Sequence, residues 1–340
     1  MVLMPGETQA DGASNLRVYR IADELKRLGW NAYVCPRHLR LRQRLRVIGV
    51  VRPNVILMQM ARHPLNRPRF YSDIPVVFDI DDADYLEDRH RANIVEAVER
   101  SAAIIAGSRA IAGFCRKYND DVEVVWTGTP VFPSPSRPQS RRKHIISWAA
   151  LLPSHCAKEA EFLLRVLELL LERTAGFQFL LYCDDGTGAY RAFADRFRAI
   201  GIDVMTRPRL EYAEFVRSLE DVAVGLAPLV DLEGFSGGKS FGKVLAYMAA
   251  GVPIVTHPVV DHPLFFRSGE NGYMATTPKE WAAVIAQLLD SPEERQRLAE
   301  RARAELEDRL STAEAARRVD KILRRALAKA HESPRARIAA

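Results

Sequence analysis

The chain has little of what staples or anchors a protein. Its 340 residues hold four cysteines, Cys35, Cys115, Cys156 and Cys183, far apart and never as a C-x-x-C pair. That spacing gives no zinc signature and no disulfide framework, and it suits a reducing, cytoplasmic setting. No apolar run approaches the roughly 20 residues that cross a bilayer. The most apolar stretch, Phe162 to Leu171, is interrupted by Arg165 and Glu168. The opening Met-Val-Leu-Met-Pro-Gly-Glu lacks a basic segment followed by an apolar one, so it is expected to be a buried strand and not a signal peptide. G-x-G-x-x-G is missing from the first β-α turn, which disfavours a nicotinamide or flavin enzyme. No cofactor and no metal are expected. Acidic residues are wholly absent between Glu24 and Asp73, while arginines such as Arg40, Arg42, Arg44 and Arg46 crowd that stretch.

What is present is ordinary for a globular protein: 48% hydrophobic and 27% charged residues. At roughly 100–200 residues per domain, the length predicts two domains or one unusually large one. Forty-nine Lys and Arg against 43 Asp and Glu leave +6, an excess too mild to call for nucleic acid.

Short apolar runs alternate with helical patterns along the whole chain, the signature of β-α units around parallel sheets. The first-half strands are expected at Val2–Met4, Val55–Gln59, Val76–Ile80, Ala103–Gly107 and Val122–Trp126, with a helix from about Val18 to Leu28. A proline-rich segment marks a linker at about 127–142. It separates a Rossmann-like domain, 1–138, from a second at 143–312. A helix over 313–330 is expected to pack back, and a tail over 331–340 to be disordered. Thr277, Ser291 and Ser311 each precede a glutamate by three residues and read as helix caps.

The most informative segment runs from Asp231 to Val255. A Glu233-Gly-Phe-Ser-Gly237-Gly238 loop feeds Lys239-Ser240-Phe-Gly-Lys243-Val-Leu-Ala246-Tyr-Met, closed by Gly251 and Pro253. A glycine loop at a helix N-terminus offers unpaired N–H groups and the positive end of the helix dipole, a natural seat for phosphate. A glycine-rich connection with two solvated lysines is the plain alternative.

The whole segment resembles glycosyltransferase family four: Val222-Ala-Val-Gly-Leu-Ala-Pro-Leu229, then Lys239-Ser240, Lys243 to Val255, then Gly269-Glu-Asn-Gly-Tyr273. Upstream, Ser147-Trp148-Ala149 with His155 and Lys158 is similar to the first strand and loop of that family's donor domain. The N-terminal half is similar more loosely, through Gly12-Ala-Ser14-Asn-Leu-Arg17, Arg52-Pro-Asn-Val55 and Ala106-Gly-Ser108. The resemblance implies an α/β, GT-B fold of two facing Rossmann-like domains with a parallel sheet each. It also implies metal-independent, retaining transfer of a sugar from a nucleotide diphosphate to a saccharide or lipid-linked acceptor, as in cell-surface glycan synthesis. His155, Lys158, Glu233, Gly237, Gly238, Lys239, Ser240 and Lys243 are then the donor-binding candidates. Gly12, Ser14 and Arg17 are the acceptor-binding ones. The family's paired glutamates, eight positions apart, are replaced here by Gly238 and Ala246. That departure raises the alternative of a nucleotide-binding or partner-binding pseudoenzyme.

A second constellation is Val76-Val-Phe-Asp79-Ile-Asp81-Asp82-Ala83-Asp84, acids piled at the carboxyl end of an apolar strand, where parallel sheets place ligands. Asp79, Asp81 and Asp82 are the catalytic candidates, as a base or as partners of sugar hydroxyls. A phosphatase of the haloacid-dehalogenase type, with an aspartate nucleophile and magnesium, competes with this reading. So does a bland acidic helix start. The arginine run is ordinarily a solvated helix face. Its functional reading is contact of Arg40–Arg46 with an anionic membrane, placing the protein on the membrane's inner surface.

Overall fold

The computed structural model describes residues 1–60, 62–135, 137–149, 156–184, 187–238 and 242–332. Of the expected site residues, His155, Lys239 and Ser240 lie outside them. Two compact units divide the chain: Met1–Pro130 with Gly237–Gly242 and Leu310–Ala340, and Val131–Ser236 with Lys243–Arg309.

The first unit is built on a six-stranded parallel sheet ordered β2-β1-β3-β4-β5-β6. The strands are β1 Val2–Met4, β2 Tyr33–Val34, β3 Ile56–Gln59, β4 Val76–Ile80, β5 Ala103–Ala106 and β6 Val122–Val124. Side chains alternate between its two faces, as a period of two requires. Leu3, Leu57, Val77 and Ile105 pack on one side with α2 (Arg20–Arg27) and α12 (Thr312–Glu332). Val2, Met4, Ile56, Met58, Phe78 and Ile104 pack on the other with α4 (Asp88–Arg100) and α5 (Arg109–Cys115). Both faces are covered, which is why the central strands read as nearly continuous apolar runs, with Gln59 and Asp79 the exceptions toward their carboxyl ends. α12 runs to Glu332, past the expected end of the last helix. The first helix differs from its expected course: a short α1, Gly12–Ser14, passes into a π-helical turn over Asn15–Tyr19 before α2 begins. β5 and β6 stop short of the expected ends, and α3 (Leu41–Val51) carries the arginine run.

The second unit holds another six-stranded parallel sheet, ordered β12-β11-β10-β7-β8-β9. Its strands are β7 Ile145–Trp148, β8 Gln178–Asp184, β9 Asp203–Pro208, β10 Val224–Ala227, β11 Ile254–Thr256 and β12 Tyr273–Met274. The helices are α6 Ala157–Leu171, α7 Gly188–Arg198, α8 Tyr212–Ser218, α9 Gly242–Ala249, α10 Pro278–Asp290 and α11 Pro292–Arg309. Thr277 closes a capping box with Glu280 at the start of α10. Trp281, fully buried, packs α10 into the same core as Leu163, Leu167 and Phe179. Two buried arginines tie the segment leading into this unit. Arg142 donates to the carbonyls of Val222 (2.9 Å) and Ala250 (2.8 Å), and Arg295 donates to that of Gln139 (2.8 Å).

Each strand order reverses once, between β1 and β3 in the first sheet and between β7 and β10 in the second. Ligands of open parallel sheets bind at the carboxyl ends of the strands flanking such a reversal. Two places therefore matter: the loops after β1, β3 and β4, and the loops after β7 and β10.

Candidate functional site

At the carboxyl edge of the first sheet, charge is concentrated and mostly spent. Asp79 lies within β4 on the face of Val77, where an apolar side chain would ordinarily sit. Its carboxylate takes a two-pronged contact from the Arg17 guanidinium (3.0 and 2.5 Å). Arg17 also donates to the Val125 carbonyl and to Thr127 Oγ1, both at 3.0 Å. Burial opposes the charge on Arg17, but Asp79 outweighs it and holds the guanidinium firmly protonated. The expected acceptor residue Arg17 and the expected catalytic residue Asp79 thus meet each other, across 62 positions of sequence.

Ser14 is likewise turned inward. Its hydroxyl accepts from the Glu7 N–H (2.9 Å) and donates to Gln59 Oε1 (2.8 Å), which also accepts from the Gly6 N–H (3.2 Å). Asp11 caps α1, its side chain accepting from the Ser14 N–H (3.0 Å). Gly12 opens α1 with free space around it. Ser14 therefore fixes the loop after β1 to the end of β3, at the strand-order reversal.

Asp82 and Asp84 share Arg62, which donates to Asp82 at 2.7 Å and engages Asp84 with both prongs. Asp81 is different. Its side chain is almost fully buried, and one carboxylate oxygen has no hydrogen-bond partner among the described residues. Burial, then the neighbouring Asp82 charge, push its carboxyl well above the ordinary carboxylate range, against the pull of Arg17. A buried acid held this way is neutral at higher pH than usual. Of the three acids singled out in the sequence, Asp81 alone has a buried oxygen with no hydrogen-bond partner among the described residues. The phosphatase reading finds the reverse of what it needs: its nucleophile would be Asp79, and a guanidinium is already clamped on that carboxylate. Among the described residues no three His, Cys, Asp or Glu side chains are grouped to hold a metal ion.

At the second sheet's reversal the chemistry is nearly uncharged. Tyr247, fully buried on α9, donates to the Ser147 carbonyl at the end of β7 (3.0 Å), and its ring lies over β10. Only a glycine fits beneath it, since a Cβ on Gly225 would come 2.6 Å from the ring. This contact sets α9 across β7 and β10. The loop after β10 is held by one carboxylate that the sequence reading overlooked. Buried Glu159, in the first turn of α6, accepts from the Val230 and Asp231 N–H groups (3.1 Å each) and from Ser236 Oγ (2.7 Å). Burial would raise its pKa, but these donors outweigh it and hold the carboxyl below its ordinary value. Its neighbour Lys158 is exposed and pairs with Asp231 at 2.6 Å. Glu233 is exposed on the loop, and Lys243 is half-buried at the start of α9. His257 is buried and pushed down to about 4 by burial, so it is neutral, and its Nδ1 accepts from the Leu229 N–H.

The two positions of the missing glutamates are both filled by packing. Ala246 is completely buried in α9. Gly238, within the first unit, lies against Ala83 so closely that an added Cβ would approach the alanine methyl to 2.4 Å. Gly237 precedes it in a 3-10 turn over Phe235–Gly238.

Residues 159–324 match a family model described as glycosyl transferase-like. The matched span takes in α6, β10, the glycine loop and α9. Among solved structures, sucrose-phosphate synthase from Thermosynechococcus elongatus aligns with a TM-score of 0.72 at 12% identity, covering 96% of this chain and 99% of its own. HepE from Anabaena, in complex with UDP and glucose, aligns with a TM-score of 0.69 at 15% identity, covering 95% and 98%. The chain has the GT-B fold. TarM from S. aureus also aligns (TM-score 0.61, 13% identity, 79% of this chain), but this chain covers only 55% of TarM's length. No curated protein matches in sequence. The GT-B assignment accounts for both strand orders and for the position of the glycine loop after β10. No helix among the described residues is long and apolar enough to cross a membrane.

Proposed function

We propose that this GT-B protein is a nucleotide-sugar glycosyltransferase, which moves a sugar with retention of configuration to a saccharide or lipid-linked acceptor in glycan synthesis. The observation that carries the reading is the glycosyl transferase-like match over residues 159–324, because it falls on the glycine loop and α9. The donor diphosphate is assigned to the loop after β10 and the start of α9, with Lys239, Ser240 and Lys243 supplying charge and hydrogen bonds and Gly237 and Gly238 allowing close approach. Lys158 joins them once it leaves Asp231. Charge on the departing phosphate is then stabilised by ammonium groups and backbone N–H donors without a metal. HepE and TarM, both solved with UDP, support a uridine nucleotide as the first to test.

On the first unit, Asp81 is the acid assigned to the acceptor. Its free oxygen binds a hydroxyl, while Asp79 and Asp82 stay with their arginines and hold the strand end in place. A second reading, nucleotide binding without turnover, is favoured by one observation: neither Ala246 nor Gly238 has room for the glutamate that the family carries. Incubation with a panel of nucleotide sugars, followed by NMR, separates the two. Release of a nucleoside diphosphate with an anomeric signal that keeps the donor's configuration is expected. Binding without release in every case would favour the second reading, and an inverted product would remove retention.

A further inference from the structure

The acid-free stretch between Glu24 and Asp73 is not uniformly basic in space. Lys26 pairs with Asp23, Arg27 with Glu24, Arg37 with Glu7 at 3.1 Å, and Arg69 with Glu96 at 3.3 Å. Arg62 is taken up by Asp82 and Asp84. Arg44, in the middle of the arginine run, is buried. Its guanidinium donates to Asn66 Oδ1 (2.8 Å) and to the carbonyls of Arg37 (2.7 Å) and Leu39 (3.1 Å), so it anchors α3 and faces no solvent. The expected membrane contact through Arg40–Arg46 must therefore lose its central member.

What is left is sharply placed. Arg40, Arg42, Arg46 and Arg52 make no ion pair among the described residues, and all four are exposed on α3 or at its ends. α3 packs inward through Val47, Ile48 and Val51. At 100° per residue the outward positions Arg42, Leu45, Arg46, Gly49 and Val50 fill one arc of roughly 140°. Two of them are apolar and unprotected: Leu45 is 43% exposed and Val50 is 80% exposed. Apolar side chains set between unpaired guanidinium groups match the boundary between acyl chains and anionic headgroups. A nucleic-acid surface would instead interleave aromatic rings for stacking, and α3 has none.

We propose that the outward face of α3 docks the protein on an anionic lipid surface, with Arg42, Arg46 and Arg52 on the headgroups and Leu45 and Val50 inserted between them. This docking is independent of the transfer chemistry and adds no contact to the sheet edges.

The test is sedimentation of the full chain with vesicles of phosphatidylcholine alone or mixed with phosphatidylglycerol, in low and in high salt. Binding to the mixed vesicles only, weakened by salt, is expected. An arginine near such a surface is worth about 1 kcal/mol, about fivefold in partition, so reversing two charges in Arg42→Glu/Arg46→Glu lowers binding at least about 25-fold. Leu45→Ser/Val50→Ser lowers it several-fold, with a deficit that persists in high salt. The unfolding midpoint of each variant serves as the folding control. Equal binding to both vesicle types would overturn the proposal. So would unaltered binding by a folded Arg42→Glu/Arg46→Glu variant, or tighter binding to a single-stranded oligonucleotide than to the mixed vesicles.

Discussion

The carboxyl edges of the two sheets are built from the same topology and opposite chemistry. In the first, opposite charges neutralise one another: buried Arg17 with buried Asp79, and half-buried Arg62 with Asp82 and Asp84. Asp81 keeps one buried oxygen without a partner among the described residues. In the second, the reversal point is lined by Tyr247, Ser147 and a neutral His257, and one carboxylate, Glu159, engages two backbone N–H groups and the Ser236 hydroxyl through a single oxygen. The difference shows that one topology carries two electrostatic solutions. Paired charge holds the first edge as a frame around Asp81. At the second edge Glu159 engages the N–H groups of Val230 and Asp231, and Asp231 pairs with Lys158, so the charges there fix the loop after β10.

Substitutions that strip each edge of its distinguishing group break the comparison. The largest expected effect is that of Asp81→Asn, which should reduce turnover by about 10²–10⁴-fold if this acid handles the acceptor proton. Stability should move the other way. A carboxyl whose pKa is raised on folding keeps its proton longer in the native state than in the unfolded one, so its contribution to stability falls as pH rises from the ordinary carboxylate pKa toward the raised one. Urea unfolding of Asp81→Asn across that window should show this dependence flattened and stability at the upper end unchanged or higher.

Next comes Arg17→Ala, which leaves Asp79 buried and unpaired and should cost about 3–5 kcal/mol by the same measurement. Arg17→Lys should lose less, because a cation remains. A smaller effect, about 1–3 kcal/mol, is expected for Glu159→Ala, since three donors lose their acceptor. Hydrogen exchange should show faster exchange at the Val230 and Asp231 amides. Glu159 has a lowered pKa, so its contribution is present above the ordinary glutamate pKa and lost as pH falls through the lowered one. Of similar size is Gly225→Ala, where a methyl must push the Tyr247 ring aside, at a cost of about 1–3 kcal/mol in a thermal melt. If Gly225→Ala weakens nucleotide binding while Arg17→Ala does not, the two edges are functionally as well as chemically distinct.

The central strands were legible because both faces of a parallel sheet are covered, so Ala103–Ala106 is apolar throughout and Val76–Ile80 is apolar but for Asp79. β2 and β12, two residues each, are too short to leave a periodic trace. The glycine loop was legible from composition, and the caps at Thr277 and Ser311 from local spacing. The candidate site was not legible to the same depth. Arg17 and Asp79 each looked available, and nothing in their separate neighbourhoods reveals that they bond to each other. Glu159 hid inside an amphipathic helix pattern, and nothing near it in sequence marks the Val230, Asp231 and Ser236 donors it meets. Arg44 likewise read as one of a solvated run, because the turn that buries it is supplied by Arg37, Leu39 and Asn66.

The central claim is that the loop after β10 and the start of α9 seat a nucleoside diphosphate. Calorimetric titration of the intact protein with uridine, guanosine, adenosine, cytidine and thymidine diphosphates tests it most directly. The account predicts saturable binding of at least one, weakened about tenfold or more by Lys243→Ala as a charge-assisted contact is lost. No binding by any of the five, or binding untouched by Lys243→Ala and Lys239→Ala alike, would contradict it.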